Sequence, residues 1–249
     1  MSYIDIATLT YEYGAGTNLF DRTPSERIKA LLDRAVEFMT HTKDPSHGID
    51  HLDNMLKHAD RFFRSVGNRF TIDKEVLLLS LYWHDVWKSQ NKPTMANYFF
   101  QQLYEGWGSM LMFKKRAKVV GLSSDITRAV SYAIRKHSAI QFRPVRTLEA
   151  QLLWDIDTLD LWNSKRTKTL FKNLKGANIS LLDSYLLYMK KVGLPLNFEW
   201  TQNEVLRIKP LFFKEMAKFR ESLMNGNKGE PLFMQAKAIS TKWNLNNKS

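Results

Sequence analysis

Apolar residues recur at helical spacing over most of the chain and few segments alternate with period two, so helices dominate the pattern. The stretch Thr23-Pro24-Ser25-Glu26 predicts a helix start, in which Thr23 caps, Pro24 suits the first turn and Glu26 completes a capping box. Ile28, Leu31, Leu32, Ala35 and Met39 carry that helix to about His41. A second helix is predicted from about Ile49 to Val66, with Leu52, Met55, Leu56, Ala59 and Phe63 on one face. A third, from about Asp73 to Trp87, is almost wholly apolar from Val76 to Trp83 and should be central and buried. Further helices are predicted near 94–106, 110–120 and 124–137, and a Thr-capped one from Thr147 through Asp155 and Asp160 to about Lys172. The last three fall near 180–192, 201–224 and 230–243. Gln141–Arg146, with Pro144, reads as a loop, and Lys209-Pro210-Leu211 as a break or kink. Residues 1–20 read as an arm and 226–229 as a turn. No internal repeat or low-complexity linker divides the chain. The expected architecture is all-α: one helical bundle over 23–175, an N-terminal extension over 1–22 and a helical C-terminal extension over 176–249 packed on the bundle.

With 44% hydrophobic residues, the chain can bury a sizeable core. Cysteine is absent, which excludes disulfides and thiolate metal sites, so a metal would be held by His nitrogen and carboxylate oxygen. The N-terminus has no basic region followed by an apolar run, and no stretch approaches the roughly 18 apolar residues of a membrane span. A cytoplasmic protein with no membrane partner is the expectation. The net charge of +12 points to an anionic partner, either a nucleotide or other phosphorylated small molecule or a nucleic acid. Basic clusters at Lys114-Lys115-Arg116-Ala117-Lys118 and from Lys165 to Lys175 are either solvated helix faces or a rim that attracts phosphate.

His84 and Asp85 end the apolar third helix, where burying an imidazole and a carboxylate is costly unless a metal ion compensates. Alone, the pair reads more readily as a satisfied core histidine at a helix C-terminus, where a cation is welcome. It is not alone. His47 and His51 stand four apart, on one face of a helix that begins early enough. Asp155, Asp157 and Asp160 lie among large apolar residues, and His137 closes the amphipathic run from Ala129. Convergence on one site accounts for all of them together.

The order His51, then His84-Asp85, then Asp157 resembles the HD-domain superfamily of metal-dependent phosphohydrolases, and more closely its small bacterial members that act on nucleotides. His47-Gly48-Ile49-Asp50-His51 is similar to their first-ligand segment, Trp83-His84-Asp85-Val86 to their namesake motif and Ala133-Ile134-Arg135-Lys136-His137-Ser138 to the segment of their substrate-side histidine. Thr147-Leu148-Glu149-Ala150 with Asp155-Ile156-Asp157-Thr158-Leu159-Asp160 is similar to their last-ligand segment. The resemblance covers roughly residues 25–170. It implies a divalent metal (Mn, Mg, Co, Ni, Fe or Zn) on His51, His84, Asp85 and Asp157, and hydrolysis of a phosphate ester or anhydride. Asp85, His137 and Lys88 are the expected catalytic groups. His47, Lys88, Lys92 and His137 are the expected substrate contacts, with His47 equally read as structural. Glu149 reads as a capping or orienting group rather than a base. The chain departs from its relatives in one respect: no acid stands between Lys88 and Asn97, where relatives carry an acidic pair shortly after His-Asp. Another group must serve, or specificity or activity must differ. The other readings are a phosphodiesterase acting on RNA or a cyclic nucleotide, a two-iron oxygenase drawing on His47, His58 and His137, and a degenerate metal-binding regulator. Tyr185, Tyr188, Phe198, Trp200, Phe212, Phe213 and Phe219 read as core or homo-oligomer contacts.

Overall fold

A computed structural model describes residues 24–67, 69–92, 94–137, 144–174, 178–191 and 195–226. The predicted arm, the turn after Gly226 and the helix near 230–243 lie outside the described residues. The fold is all-α, with no strand among the described residues. In chain order it comprises α1 (Glu26–Thr40), a 3₁₀ turn (Pro45–His47), α2 (Ile49–Val66), α3 (Lys74–Trp83) and α4 (Val86–Ser89). These are followed by α5 (Met95–Val120), α6 (Ser124–Lys136), α7 (Leu148–Asp160), α8 (Ser164–Asn173), α9 (Ile179–Lys191) and α10 (Glu199–Gly226).

α3 is the axis of the bundle. Every residue from Val76 to Trp83 is buried, and α1, α2, α5, α6 and α7 all pack on it. Asp73 caps it by accepting from the Glu75 and Val76 N–H groups at 3.0 and 3.1 Å. Trp83 anchors it to α1 through a 3.1 Å hydrogen bond donated by Nε1 to the Leu31 carbonyl. A second, smaller core of Trp162, Leu182, Met189, Phe212, Met216 and Phe219 gathers α9 and α10 beside the main one. Phe198 and Trp200 join the two regions edge-on at Phe62, with centroids 5.1 and 5.6 Å away. The C-terminal aromatics are thus mostly packing groups, although Tyr188 remains exposed.

Five boundaries differ from the sequence pattern. The first cap is Ser25, whose Oγ accepts from the Ile28 N–H at 3.5 Å; Glu26 therefore opens the helix instead of closing a capping box, and Thr23 lies outside the described residues. The third helix stops at Trp83, and a turn at His84-Asp85 precedes the short α4. The long helix from Thr147 ends at Asp160, because the Asn163 side chain accepts from the Lys165 N–H at 3.0 Å and starts α8 afresh. α10 runs through Pro210 without a break; the carbonyl that proline leaves unpaired belongs to Leu206, an exposed residue where water can serve.

The fifth difference is α5, a single helix where two were predicted. Its glycines do not interrupt it, because each lets a neighbour approach. A Cβ on Gly106 would stand 3.0 Å from the Ile134 and Arg135 carbonyls of α6, and one on Gly108 would fall 2.2–2.5 Å from the Trp87 ring. Gly108→Ala should therefore destabilise by about 1–3 kcal/mol, the scale of overpacking, against the roughly 1 kcal/mol gain that alanine brings to an open helix site. A thermal melt decides the sign, and a raised midpoint would contradict this packing.

Candidate metal centre

Four breaks in the helices meet at one point. The 3₁₀ turn presents His47, the first turn of α2 presents His51, the α3–α4 turn presents His84 and Asp85, and the end of α6 presents His137. α7 adds Asp157 and Asp160 from one face, three residues apart. One donor atom from each of His51, His84, Asp85 and Asp157 lies within 4.8 Å of all the others, so these four can hold a metal ion. The two imidazoles face each other, with Nε2 atoms 3.1 Å apart. Asp85 Oδ2 is 3.4 Å from His51 Nε2 and 3.3 Å from His84 Nε2, and Asp157 Oδ1 is 3.5 Å from His51 Nε2.

The far side of every ring is anchored. His51 Nδ1 donates to Asp160 Oδ2 at 2.7 Å, and His47 Nδ1 donates to Asp44 Oδ2 at 2.7 Å. His84 Nδ1 donates to the Leu81 carbonyl at 2.8 Å, and His137 Nδ1 to the Ile134 carbonyl at 2.5 Å. A carbonyl can only accept, so the Nδ1 atoms of His84 and His137 carry hydrogens, and all four Nε2 atoms are left to face Asp85. His47 Nε2 is 3.8 Å from Asp85 Oδ2, and His137 Nε2 is 3.5 Å from Oδ1. An acceptor behind a ring that turns its other nitrogen inward is the backing that metal-ligating histidines require. The donor set fits a cation: two imidazole nitrogens converge, and they repel unless a proton or a metal lies between them.

The acids outnumber the fixed cations. Asp44, Asp85, Glu105, Asp157 and Asp160 are all at or near the cluster, whereas Lys88 and Arg166 are its permanent positive charges. Arg166, on α8, donates from Nε to the Ser46 carbonyl at 3.1 Å and from Nη1 to Asp157 Oδ1 at 3.2 Å, and stands 3.4 Å from Asp160. Lys88 is buried and donates to Glu105 Oε2 at 2.6 Å, while Glu105 Oε1 is 3.9 Å from His137 Nε2.

These charges shift the titrations. Burial opposes ionisation of Asp85, Asp157 and Asp160, yet the imidazoles, and Arg166 for the latter two, hold all three carboxyls below their ordinary values. Burial and then Lys88 lower His47. Burial works against a charged His137, but Asp85 and then Glu105 outweigh it and raise its pKa to about 9. His51 is also raised: burial and Arg166 oppose its charge, while hydrogen bonds to Asp160 and Asp85 prevail. A cation at His51 must displace the proton that ring holds, so metal binding should release protons near neutral pH, and apparent affinity should climb as pH rises past the ordinary imidazole value of 6.5. Calorimetric titration in two buffers of different ionisation heat checks this; identical heats would refute it.

No family model, curated protein or solved structure matches the chain.

Of the residues singled out from sequence, His51, His84, Asp85 and Asp157 come together, and His47 and His137 flank them. Lys88 belongs to the cluster, but as Glu105's partner. Lys92 is exposed and is not among the four donors. His58 is not among the four donors either, and its Nδ1 accepts from Arg61 at 2.6 Å. Glu149 accepts from the Asp73 N–H at 2.9 Å and links α7 to α3. Asp155 faces away from the cluster, toward the start of α10. The sequence reading missed Glu105, Arg166, Asp44 and the backing role of Asp160. Only Asp160 carried a local signal, its position three residues after Asp157. No acid lies between Lys88 and Asn97, but Glu105 arrives from α5 beside Lys88 and His137.

Proposed function

We propose that this protein is a metal-dependent phosphohydrolase that cleaves a phosphate ester or anhydride in a nucleotide or other phosphorylated small molecule. The observation that carries the reading is the set of four back-anchored imidazoles turned toward Asp85, with Asp157 completing a four-donor group. The resemblance to HD-domain phosphohydrolases and the net charge of +12 support the same substrate class.

His51, His84, Asp85 and Asp157 would hold the metal. When bound, a divalent ion supplies Lewis-acid polarisation of a phosphoryl oxygen and lowers the pKa of bound water. Mixed imidazole and carboxylate donors suit Mn, Fe, Co, Ni or Zn and also admit Mg. Asp160 and the Leu81 carbonyl orient the two ligand rings. Asp157 is the most exposed of the four ligands, with 20% of its side chain accessible, so substrate approaches over it. His137 holds a proton at Nε2 against Asp85 Oδ1 and can pass it to a departing oxygen, while Glu105 and Lys88 fix the charge beside it. His47, kept neutral by burial and Lys88, offers a neutral ring on the opposite side of Asp85.

The test is phosphate release from a panel of nucleoside mono-, di- and triphosphates, run with each candidate metal and with chelator. Release that appears only with metal is expected, and product identity separates monophosphatase, pyrophosphohydrolase and diesterase. Tight metal binding without turnover of any substrate would favour a regulator.

A further inference from the structure

α5 and α6 form a hairpin closed by Gly121, which turns the chain at φ +67°. Between the outer halves of these helices lies a groove of about 710 Å³, within the roughly 300–1,000 Å³ range of small-molecule sites. None of its lining residues belongs to the metal centre. Met110 and Leu122 make its floor apolar, while Lys114, Lys118 and Arg135 line it with positive charge. Among the described residues, Lys114 and Lys118 have no acidic partner. The first turn of α6 also opens onto it at Ser124, adding the positive end of a helix.

Ser131 identifies the kind of occupant. It lines the groove at 4% exposure, and its Oγ is buried with no hydrogen-bond partner among the described residues. A buried hydroxyl without a partner costs about 1–3 kcal/mol. Unlike the other serines that begin or staple helices here, it bonds to nothing in its own helix. An alkyl chain in the groove would leave it unsatisfied, whereas a heterocycle or sugar with a polar edge would satisfy it. From an apolar floor, unpartnered lysines, a helix N-terminus and this hydroxyl, we infer that the α5–α6 groove is a second binding site, separate from the metal centre, for a nucleotide-class ligand. The base or ribose sits over Met110 and Leu122 against Ser131, and the phosphate lies toward Lys114 and Lys118.

Calorimetry of the full chain with adenosine monophosphate tests this, in chelator so that the metal centre is not loaded. Wild type and Asp85→Ala should bind alike. Lys114→Glu with Lys118→Glu should weaken binding roughly tenfold or more, the scale of one charge-assisted hydrogen bond. The same reversal at Lys29 and Lys214, on α1 and α10, should leave it unchanged. Ser131→Ala should weaken adenosine monophosphate and leave hexyl phosphate, a weaker ligand, unaffected. Absent binding overturns the inference, as does binding that survives the Lys114 and Lys118 reversal or is lost in Asp85→Ala. Hexyl phosphate binding as tightly as the nucleotide would overturn the ligand class.

Discussion

Asp85→Ala should abolish tight metal binding and lower metal-dependent phosphate release by about 10³-fold or more. Asp85 is 2% exposed and is the carboxylate toward which all four imidazoles turn. Its removal deletes one of four donors and also leaves His137 without the counter-charge that holds its proton. Changes one step behind a metal ligand cost roughly 10–100-fold, so loss of a ligand that also organises the surrounding rings must cost more. Asp160→Asn provides the graded comparison. It keeps the size of the side chain but weakens the acceptor behind His51 Nδ1, and should reduce metal affinity by about 10–100-fold. Competition against a chelating dye measures affinity in both variants, and initial rates measure turnover. Asp85→Ala that binds and turns over like wild type would remove the basis for the hydrolase reading.

The largest stability effect should come from Asp155, in the same helix as Asp157 and Asp160 but facing away from the cluster. Its carboxylate is fully buried and accepts from the Asn197 and Phe198 N–H groups at 2.9 Å, from Asn197 Nδ2 at 2.7 Å and from Thr201 Oγ1 at 2.5 Å. It thereby satisfies donors at the start of α10 and ties that helix to the main core. Asp155→Ala strands those donors in a dry interior and opens a cavity, which should cost about 3–5 kcal/mol. For a chain of this size that lowers the melting midpoint by about 10 °C. Metal affinity should not move, because Asp155 contacts none of the four ligands. A melt unchanged from wild type, or a loss of metal binding as large as that of Asp85→Ala, would contradict this assignment.

The contrast between Asp155 and Asp157 marks the limit of one-dimensional reading. Both sit in the same apolar run, and periodicity identifies the helix without saying which flank meets the histidines. The resemblance to a known family chose Asp157, and the geometry agrees. Similarly, the run from Val76 to Trp83 is apolar enough to identify the central helix, but its end at Trp83 depends on how His84 and Asp85 turn into the cluster. The two helices predicted near 94–106 and 110–120 are one, α5, in which Gly106 and Gly108 admit the α6 carbonyls and the Trp87 ring.

Most helix positions, the buried axis and the lack of thiolate ligands were legible in the linear chain, because amphipathic spacing and residue chemistry are local properties, whereas the donor set His51, His84, Asp85 and Asp157 came from the resemblance to a known family. Tertiary structure alone decided that Glu105 from α5 pairs with Lys88, that Arg166 from a basic run turns inward to Asp157, and that four Nδ1 atoms are anchored so that four Nε2 atoms face one carboxylate. Those contacts join residues distant along the chain. Their energies depend on burial and direction, which no spacing of residue types encodes.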